Sequence, residues 1–200
     1  MMENHFTWCP NCGNYLILTA LKKALFSLGK NPEKVMICGD IGCGAKMPYH
    51  VDGYKFFIGL HGRVIPLACG MKLADPELTV IAIGGDGGIY GEGINHLIHT
   101  ARRNINIAAI VSNNGVYALT TGQPSSTSPI GFKSKVSPCG TTDEPLNPVA
   151  VALASGAKYA KTISATDQNL SEEILAALNF SGFSLLDIKS SCATFNPITS

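Results

Sequence analysis

Val80-Ile81-Ala82-Ile83-Gly84-Gly85-Asp86-Gly87-Gly88 is a short apolar run that discharges into a glycine turn, and the chain around it repeats the pattern. Apolar runs of similar length stand at 35–38, 78–83, 105–111 and 185–188, each closed by Gly, Asp, Asn or Ser. Unbroken runs of this size fit parallel strands buried on both faces. Between them lie helical patterns. The first covers about 13–28, with Tyr15, Leu16, Ala20, Leu21 and Leu25 on one face and Gly29 and Pro32 placed to end it. Others cover about 62–74, 91–103, 147–155 and 171–180. Strands alternating with helices predict an α/β fold with a parallel sheet flanked by helices. The stretch of about 122–147 is rich in Pro, Ser, Thr and Gly and has no periodicity, which predicts a long functional loop.

Two hundred residues suit one domain over 1–200. Only 14% of them are charged, against about 25% in ordinary soluble domains, so much of the surface is expected to be covered by partners. A net charge of +1 with no basic run offers nothing to nucleic acid or to an anionic membrane, and both are excluded as partners. Met1 to Trp8 holds no apolar signal region and no stretch reaches the length of a spanning helix, so a cytoplasmic protein is expected. In that compartment seven cysteines argue for metal ligation rather than disulfides.

In open α/β sheets ligands bind beyond the carboxyl ends of the strands. The turn after Ile83 puts glycine amides and a helix N-terminus there, which suits a phosphate. A carboxylate in such a turn would repel a phosphate, unless Asp86 holds a Mg²⁺ that bridges the two. The next run ends in Asn113-Asn114, whose amide oxygens can reach the same ion. Gly85-Asp86-Gly87, then 25 residues, then Asn113-Asn114 resembles the thiamin diphosphate signature. That resemblance implies metal ligands at Asp86, Asn114 and the backbone carbonyl of Val116.

Trp8-Cys9-Pro10-Asn11-Cys12-Gly13 sets two thiolates at a spacing that can grip one metal centre, yet a pair needs two further ligands. Cys43 and Cys192 lie in irregular Gly- or Ser-flanked turns, whereas Cys38 and Cys69 lie inside apolar patterns and are expected in the core. Zinc, a redox pair and an iron-sulfur cluster all remain open on spacing alone. Trp-Cys-Pro-x-Cys-Gly, Ile41-Gly42-Cys43 and Cys192-x-Thr194-Phe195-Asn196 each resemble segments of the 2-oxoacid:ferredoxin oxidoreductase β subunit. The likeness continues through His61-Gly62-Arg63, Lys72-Leu73-Ala74, Asn95-His96, Arg102-Arg103-Asn104, Tyr117 and Thr121-Gly122-Gln123.

This resemblance implies a 4Fe-4S cluster on Cys9, Cys12, Cys43 and Cys192. It also implies thiamin diphosphate held with Mg²⁺ by Ile41, Gly42, Cys43, His61, Gly85, Asp86, Gly87, Asn114, Val116 and Tyr117. Lys46 matches the lysine that takes the substrate carboxylate. The implied reaction is oxidative decarboxylation of a 2-oxoacid to an acyl-CoA, with electrons passed to ferredoxin. An α subunit, or α and γ, would supply the glutamate that activates the aminopyrimidine. The loop from Gly122 through Pro138-Cys139-Gly140 looks more like the 2-oxoglutarate and branched-chain types than the pyruvate ones. Four departures stand out: Asn11 replaces a common Gly, Thr121 falls where the family run has Gly, Gly88 replaces a common Asp, and the chain stops at Ser200 where many members continue. A non-oxidative thiamin decarboxylase and a zinc-stabilised binding module are the alternative readings.

Overall fold

A computed structural model describes residues 8–197. The readings of Met1–Thr7 and of the end at Ser200 lie outside these residues. The elements follow in chain order: α1 (Asn14–Leu28), β1 (Val35–Gly39), β2 (Lys55–Ile58), α2 (Val64–Ala74), β3 (Thr79–Gly85), α3 (Ile94–Arg103), β4 (Ala108–Asn113), β5 (Val116–Tyr117), β6 (Gln123–Pro124), α4 (Pro148–Ala154), β7 (Tyr159–Ser164), α5 (Leu170–Asn179) and β8 (Ser184–Lys189). Six strands form one parallel sheet in the order β2-β1-β3-β4-β8-β7. β5 and β6 pair separately as a small antiparallel ribbon.

The central strands are largely apolar because both of their faces are covered, with Asp187 of β8 a buried charged exception. Alternate residues point to opposite sides. Ile37, Ile81, Ile83, Ile110, Leu186 and Ile188 meet α1 and α5 through Ile17, Leu21 and Ile174. Cys38, Val80, Ala82, Ala109, Val111 and Leu185 meet α2 and α3 through Val64, Ile65, Leu97 and Ala101. Cys38 and Cys69 therefore belong to the core. Burial pushes the Cys38 thiol up to about 12, and Cys69 Sγ sits 3.3 Å from Thr100 Oγ1.

Helix ends follow their sequence signals. Gly29 closes α1 in the left-handed conformation at φ 64°, and Asn104 does the same for α3 at φ 49°. Two expectations need correction, and two strands were not foreseen. The run at 105–111 becomes strand only from Ala108, since Ile105 and Ile107 shape the turn that follows Asn104. The helix expected from about 91 begins as a π-helix at Gly87–Glu92 and becomes α-helix at Ile94. The two edge strands, β2 and β7, carry mixed exposure and gave no unbroken apolar run.

The connection after β1, a 3₁₀ segment at Gly44–His50, packs with α1 through Met47, and the connection after β3 packs with α2 through Leu97. The two leave the sheet on opposite faces. A crevice opens between the carboxyl ends of β1 and β3, as expected where the winding of an open sheet reverses.

Two of the departures from the family pattern acquire a physical meaning. Asn11 has φ 61°, a conformation that Gly adopts freely and Asn tolerates. Thr121 has φ 80°, which a β-branched side chain resists. Such strain costs about 1–3 kcal/mol. Thr121→Gly is therefore expected to raise stability by roughly 1 kcal/mol in chemical denaturation, less than the full strain because Gly loses more entropy on folding. An unchanged or lower midpoint would show that Thr121 is unstrained.

Candidate thiamin diphosphate and thiol site

Strand register builds the site. Ile83 pairs with Ile110 and Gly85 with Ser112, so Asp86 emerges beside Asn113 and Asn114. Gly39 pairs with Ile83 across β1 and β3, which brings Asp40 to Gly44 alongside. Ile41, Gly42, Cys43, His61, Gly85, Asp86, Gly87, Asn114, Val116 and Tyr117, the residues expected at the cofactor, all line one cavity of about 210 Å³ with Gly44, Gly88 and Ser112. Lys46 does not line it. It stands beside Cys43, where burial pushes the thiol up and the Lys46 ammonium opposes that shift.

Asp86 is 1% exposed. Its Oδ1 accepts from the Asn114 amide at 3.3 Å, and its Oδ2 accepts from the Ser125 hydroxyl and from Thr127 Oγ1 at 2.9 Å. Burial nevertheless raises its pKa, and among the described residues no Lys or Arg pairs with it. A buried carboxylate so placed is stabilised by a cation. Asp86, the Asn114 side-chain oxygen and the Val116 carbonyl are the hard oxygen donors that Mg²⁺ prefers. Asn114 Oδ1 is held by the Val116 amide at 3.1 Å. The residues present fit a Mg²⁺-diphosphate.

The glycines of the turn divide into two kinds. A Cβ on Gly87 would sit 2.3 Å from the Tyr117 ring, and one on Gly91 would sit 2.2 Å from the Tyr117 hydroxyl. Both pack against the Tyr117 side chain, a role the sequence did not reveal, while Gly87 also lines the cavity. A Cβ on Gly85 would meet only Ser112 O at 3.8 Å. Gly85 is the open position of the turn, with room for a ligand to approach.

Beside this cavity the four expected thiols converge. Burial raises Cys12, with Cys192 and Cys9 adding to the rise, and Cys43 likewise lies within electrostatic reach of Cys12, Cys192 and Cys9. Yet among the described residues no three His, Cys, Asp or Glu side chains are grouped closely enough to hold a single ion. The Gly13 amide donates to Ser191 O at 3.2 Å, Trp8 Nε1 donates to Cys43 O at 2.7 Å, and Cys192 and Asn196 exchange backbone hydrogen bonds. Cys139 is exposed in the loop, apart from this group.

Several contributors were invisible to sequence reading. Ser125 and Thr127 reach Asp86 only through the fold of the loop, and Thr127 Oγ1 also lies 2.8 Å from Asn113 Oδ1. Asn113 Nδ2 donates to the fully buried Asp187 at 2.8 Å, as does the Tyr90 hydroxyl at 3.0 Å. Asp40 is 1% exposed and abuts Gly88.

Fold and site together define a thiamin-diphosphate-binding domain, and residues 35–188 match the family model described as thiamine pyrophosphate enzyme, C-terminal TPP binding domain. The chain is 40% identical over 193 residues to the 2-oxoacid:ferredoxin oxidoreductase subunit beta of Saccharolobus solfataricus, covering 96% of this chain and 63% of that protein. It is 35% identical over 192 residues to the 2-oxoglutarate synthase subunit KorB of Archaeoglobus fulgidus, covering 96% and 71%. A solved 2-oxoglutarate:ferredoxin oxidoreductase from Magnetococcus marinus, with 2-oxoglutarate, coenzyme A and succinyl-CoA bound, superimposes with a TM-score of 0.94 at 38% identity, covering 98% of this chain and 67% of that one. The chain belongs to the β-subunit family of 2-oxoacid:ferredoxin oxidoreductases. It spans 52–63% of the length of the first five curated relatives it matches.

Because Asp86 also anchors the loop, Asp86→Asn tests the metal role with less disturbance than Asp86→Ala. It keeps an oxygen for Ser125 and Thr127 and removes the charge. Mg²⁺-dependent thiamin diphosphate binding is expected to weaken by at least about a hundredfold by calorimetry, and Asn114→Ala by about tenfold, since a neutral amide is the weaker donor. Equal affinities for Asp86→Asn and the unaltered chain would remove Asp86 from the metal site.

Proposed function

We propose that this chain is the thiamin-diphosphate-binding part of an enzyme that oxidatively decarboxylates a 2-oxoacid to an acyl-CoA and passes the electrons through a 4Fe-4S cluster to ferredoxin. The observation that supports this most is the double position of Cys43. It lines the cavity with Gly85 and Asp86, and it stands among Cys9, Cys12 and Cys192. A non-oxidative thiamin decarboxylase has no use for thiols at that wall.

Bound thiamin diphosphate supplies the electron sink that decarboxylation requires, and a cluster accepts electrons singly. The chain's own residues bind and orient. Asp86, Asn114 and the Val116 carbonyl would hold Mg²⁺, and the Gly85 turn would admit the diphosphate close to the backbone. His61, in the same wall, would face that anion. Cys9, Cys12, Cys43 and Cys192 would ligate the cluster, and Lys46 is assigned to the substrate carboxylate on resemblance alone.

No glutamate is among the described residues lining the cavity. The group that activates the aminopyrimidine would come from an α subunit, or from α and γ, and a low charged fraction suits a chain buried in such an assembly. The names of the Archaeoglobus and Magnetococcus relatives, with the sequence of the loop after Gly122, favour 2-oxoglutarate as substrate. Seven free thiols suit the cytoplasm, and among the described residues no helix is long and apolar enough to cross a membrane.

Serine at Cys9, Cys12, Cys43 or Cys192 is expected to bleach the visible band near about 400 nm that thiolate-bound iron-sulfur centres show. Serine at Cys38 or Cys69 should leave it. A full cluster signal by electron paramagnetic resonance in reduced Cys192→Ser would remove that ligand from the set.

The partner requirement has its own measurement. Purified alone, the chain is expected to give no coenzyme A-dependent reduction of a low-potential dye, and mixing with the cognate α subunit should restore it. Sustained 2-oxoacid oxidation by the chain alone would overturn the half-site reading.

A further inference from the structure

Asp40 follows the last residue of β1 and is 1% exposed. One carboxylate oxygen is fixed, since Oδ1 accepts from the Gly62 amide at 2.8 Å. The other, Oδ2, is buried with no hydrogen-bond partner. A buried acceptor left unmade is unfavourable, and more so when charged. Its surroundings are specific. The point where a Gly88 Cβ would stand lies 1.8 Å from Asp40 Oδ2 and 3.5 Å from His61 Nε2. Gly88 and His61 both line the diphosphate cavity. Gly88 also lacks the positive φ that would itself demand glycine. What forbids a side chain there is the Asp40 carboxylate.

We propose that Asp40 is a positioning residue for His61, its Oδ2 accepting the Nε2 proton and so fixing the orientation of the imidazole on the wall of the diphosphate cavity. His61 supplies the ring nitrogen that meets the same point beside Gly88 as that orphaned oxygen. It sits beside Gly62, whose amide already grips Oδ1, so one carboxylate spans two consecutive residues. The charges of His61 and Arg63 both act on Asp40. Hydrogen bonds of this kind often run long until the pocket is filled. The arrangement also accounts for Gly88. Here the acid that commonly follows Gly-Asp-Gly has no room, and a carboxylate reaches the same space from β1. The inference rests on the thiamin reading for the ligand, and on this chain's geometry alone for the Asp40–His61 pair.

Two measurements on the full chain separate these. With ¹⁵N-labelled histidine, Asp40→Asn is expected to move the His61 ring nitrogen resonances away from those of an Nε2–H bonded to a carboxylate, with no thiamin present. Unchanged resonances would overturn the pairing. In calorimetry with Mg²⁺ and thiamin diphosphate, Asp40→Asn is expected to weaken binding about tenfold, the size of one charge-assisted hydrogen bond. Failure of the unaltered chain, with its partner subunit, to bind thiamin diphosphate would instead defeat the functional reading and leave the resonance test standing. Asp40→Gly should weaken binding at least as much. The Asp40→Gly/Gly88→Asp double variant should recover most of the loss, because the carboxylate returns to the vacated space. A double variant that melts like the unaltered chain yet binds no better than Asp40→Gly would show that Asp40 only fills volume.

Discussion

A carboxylate buried at the end of the β3 strand organises the structure around it. Moving an unpaired carboxylate out of water is unfavourable enough that it must be hydrogen-bonded, paired with a cation or protonated. Around Asp86 the answer is assembled from distant pieces: the Asn114 amide from the end of β4 and the hydroxyls of Ser125 and Thr127 from the long loop. Hydrogen bonds to a charged group are worth about 1.5–3 kcal/mol each. That is enough to dock a segment with no secondary structure of its own. Thr127 continues the network to Asn113, and Asn113 to Asp187, where the Tyr90 hydroxyl also ends. Because Tyr90 belongs to the π-helix that follows the glycine turn, the front and back of the turn are tied to a single buried core of polar groups. Such networks are rigid when every member is satisfied and weak when one is removed.

The parts of the molecule legible in the sequence are those whose cause is local. β1, β3 and β4 read clearly because burial on both faces demands an apolar run, β8 does so despite its buried Asp187, and α1 and α3 end where Gly29 and Asn104 accept left-handed backbone. The pair Asp86 and Asn114, proposed to hold the metal, is legible because the ends of neighbouring strands in a parallel sheet lie side by side. β2 is not, since Lys55, Phe56 and Phe57 lie exposed at the sheet edge and no alternation survives there. Ser125 and Thr127 look like ordinary loop residues, and only tertiary contact reveals their hold on Asp86. Asp40 reads as a strand stop. Nothing local announces that it takes the space beside Gly88.

The two candidate centres are mechanically one. Asn196 Nδ2 donates to Asn114 O at 2.7 Å, joining the turn that begins at Cys192 to the strand end that would hold the metal. A Cβ on Gly122 would lie 2.7 Å from the Phe195 ring, so the same turn also sets the start of the long loop. On the other side Trp8 ties Cys43 O to the segment that carries Cys9 and Cys12. A displacement of either thiol-bearing end is thereby passed to the cavity wall.

Topology explains how residues from both ends of the chain come to share this place. A helix that precedes a parallel strand runs back along the sheet, so α1 begins at the carboxyl ends of the strands, where β1 and β8 finish. Cys9 and Cys12 precede α1, Cys43 follows β1 and Cys192 follows β8, and the winding alone carries all four to one edge. The entropy of closing a loop grows only with the logarithm of its length, about 0.6 kcal/mol per doubling. Bringing Cys192 rather than Cys12 to Cys9 spans about six such doublings, roughly 3–4 kcal/mol, which the folding of the sheet has already offset. The glycine turn after β3 and the asparagines after β4 arrive at the same edge by the same rule. The proposed electron source and its acceptor would then be adjacent without any element added to the fold.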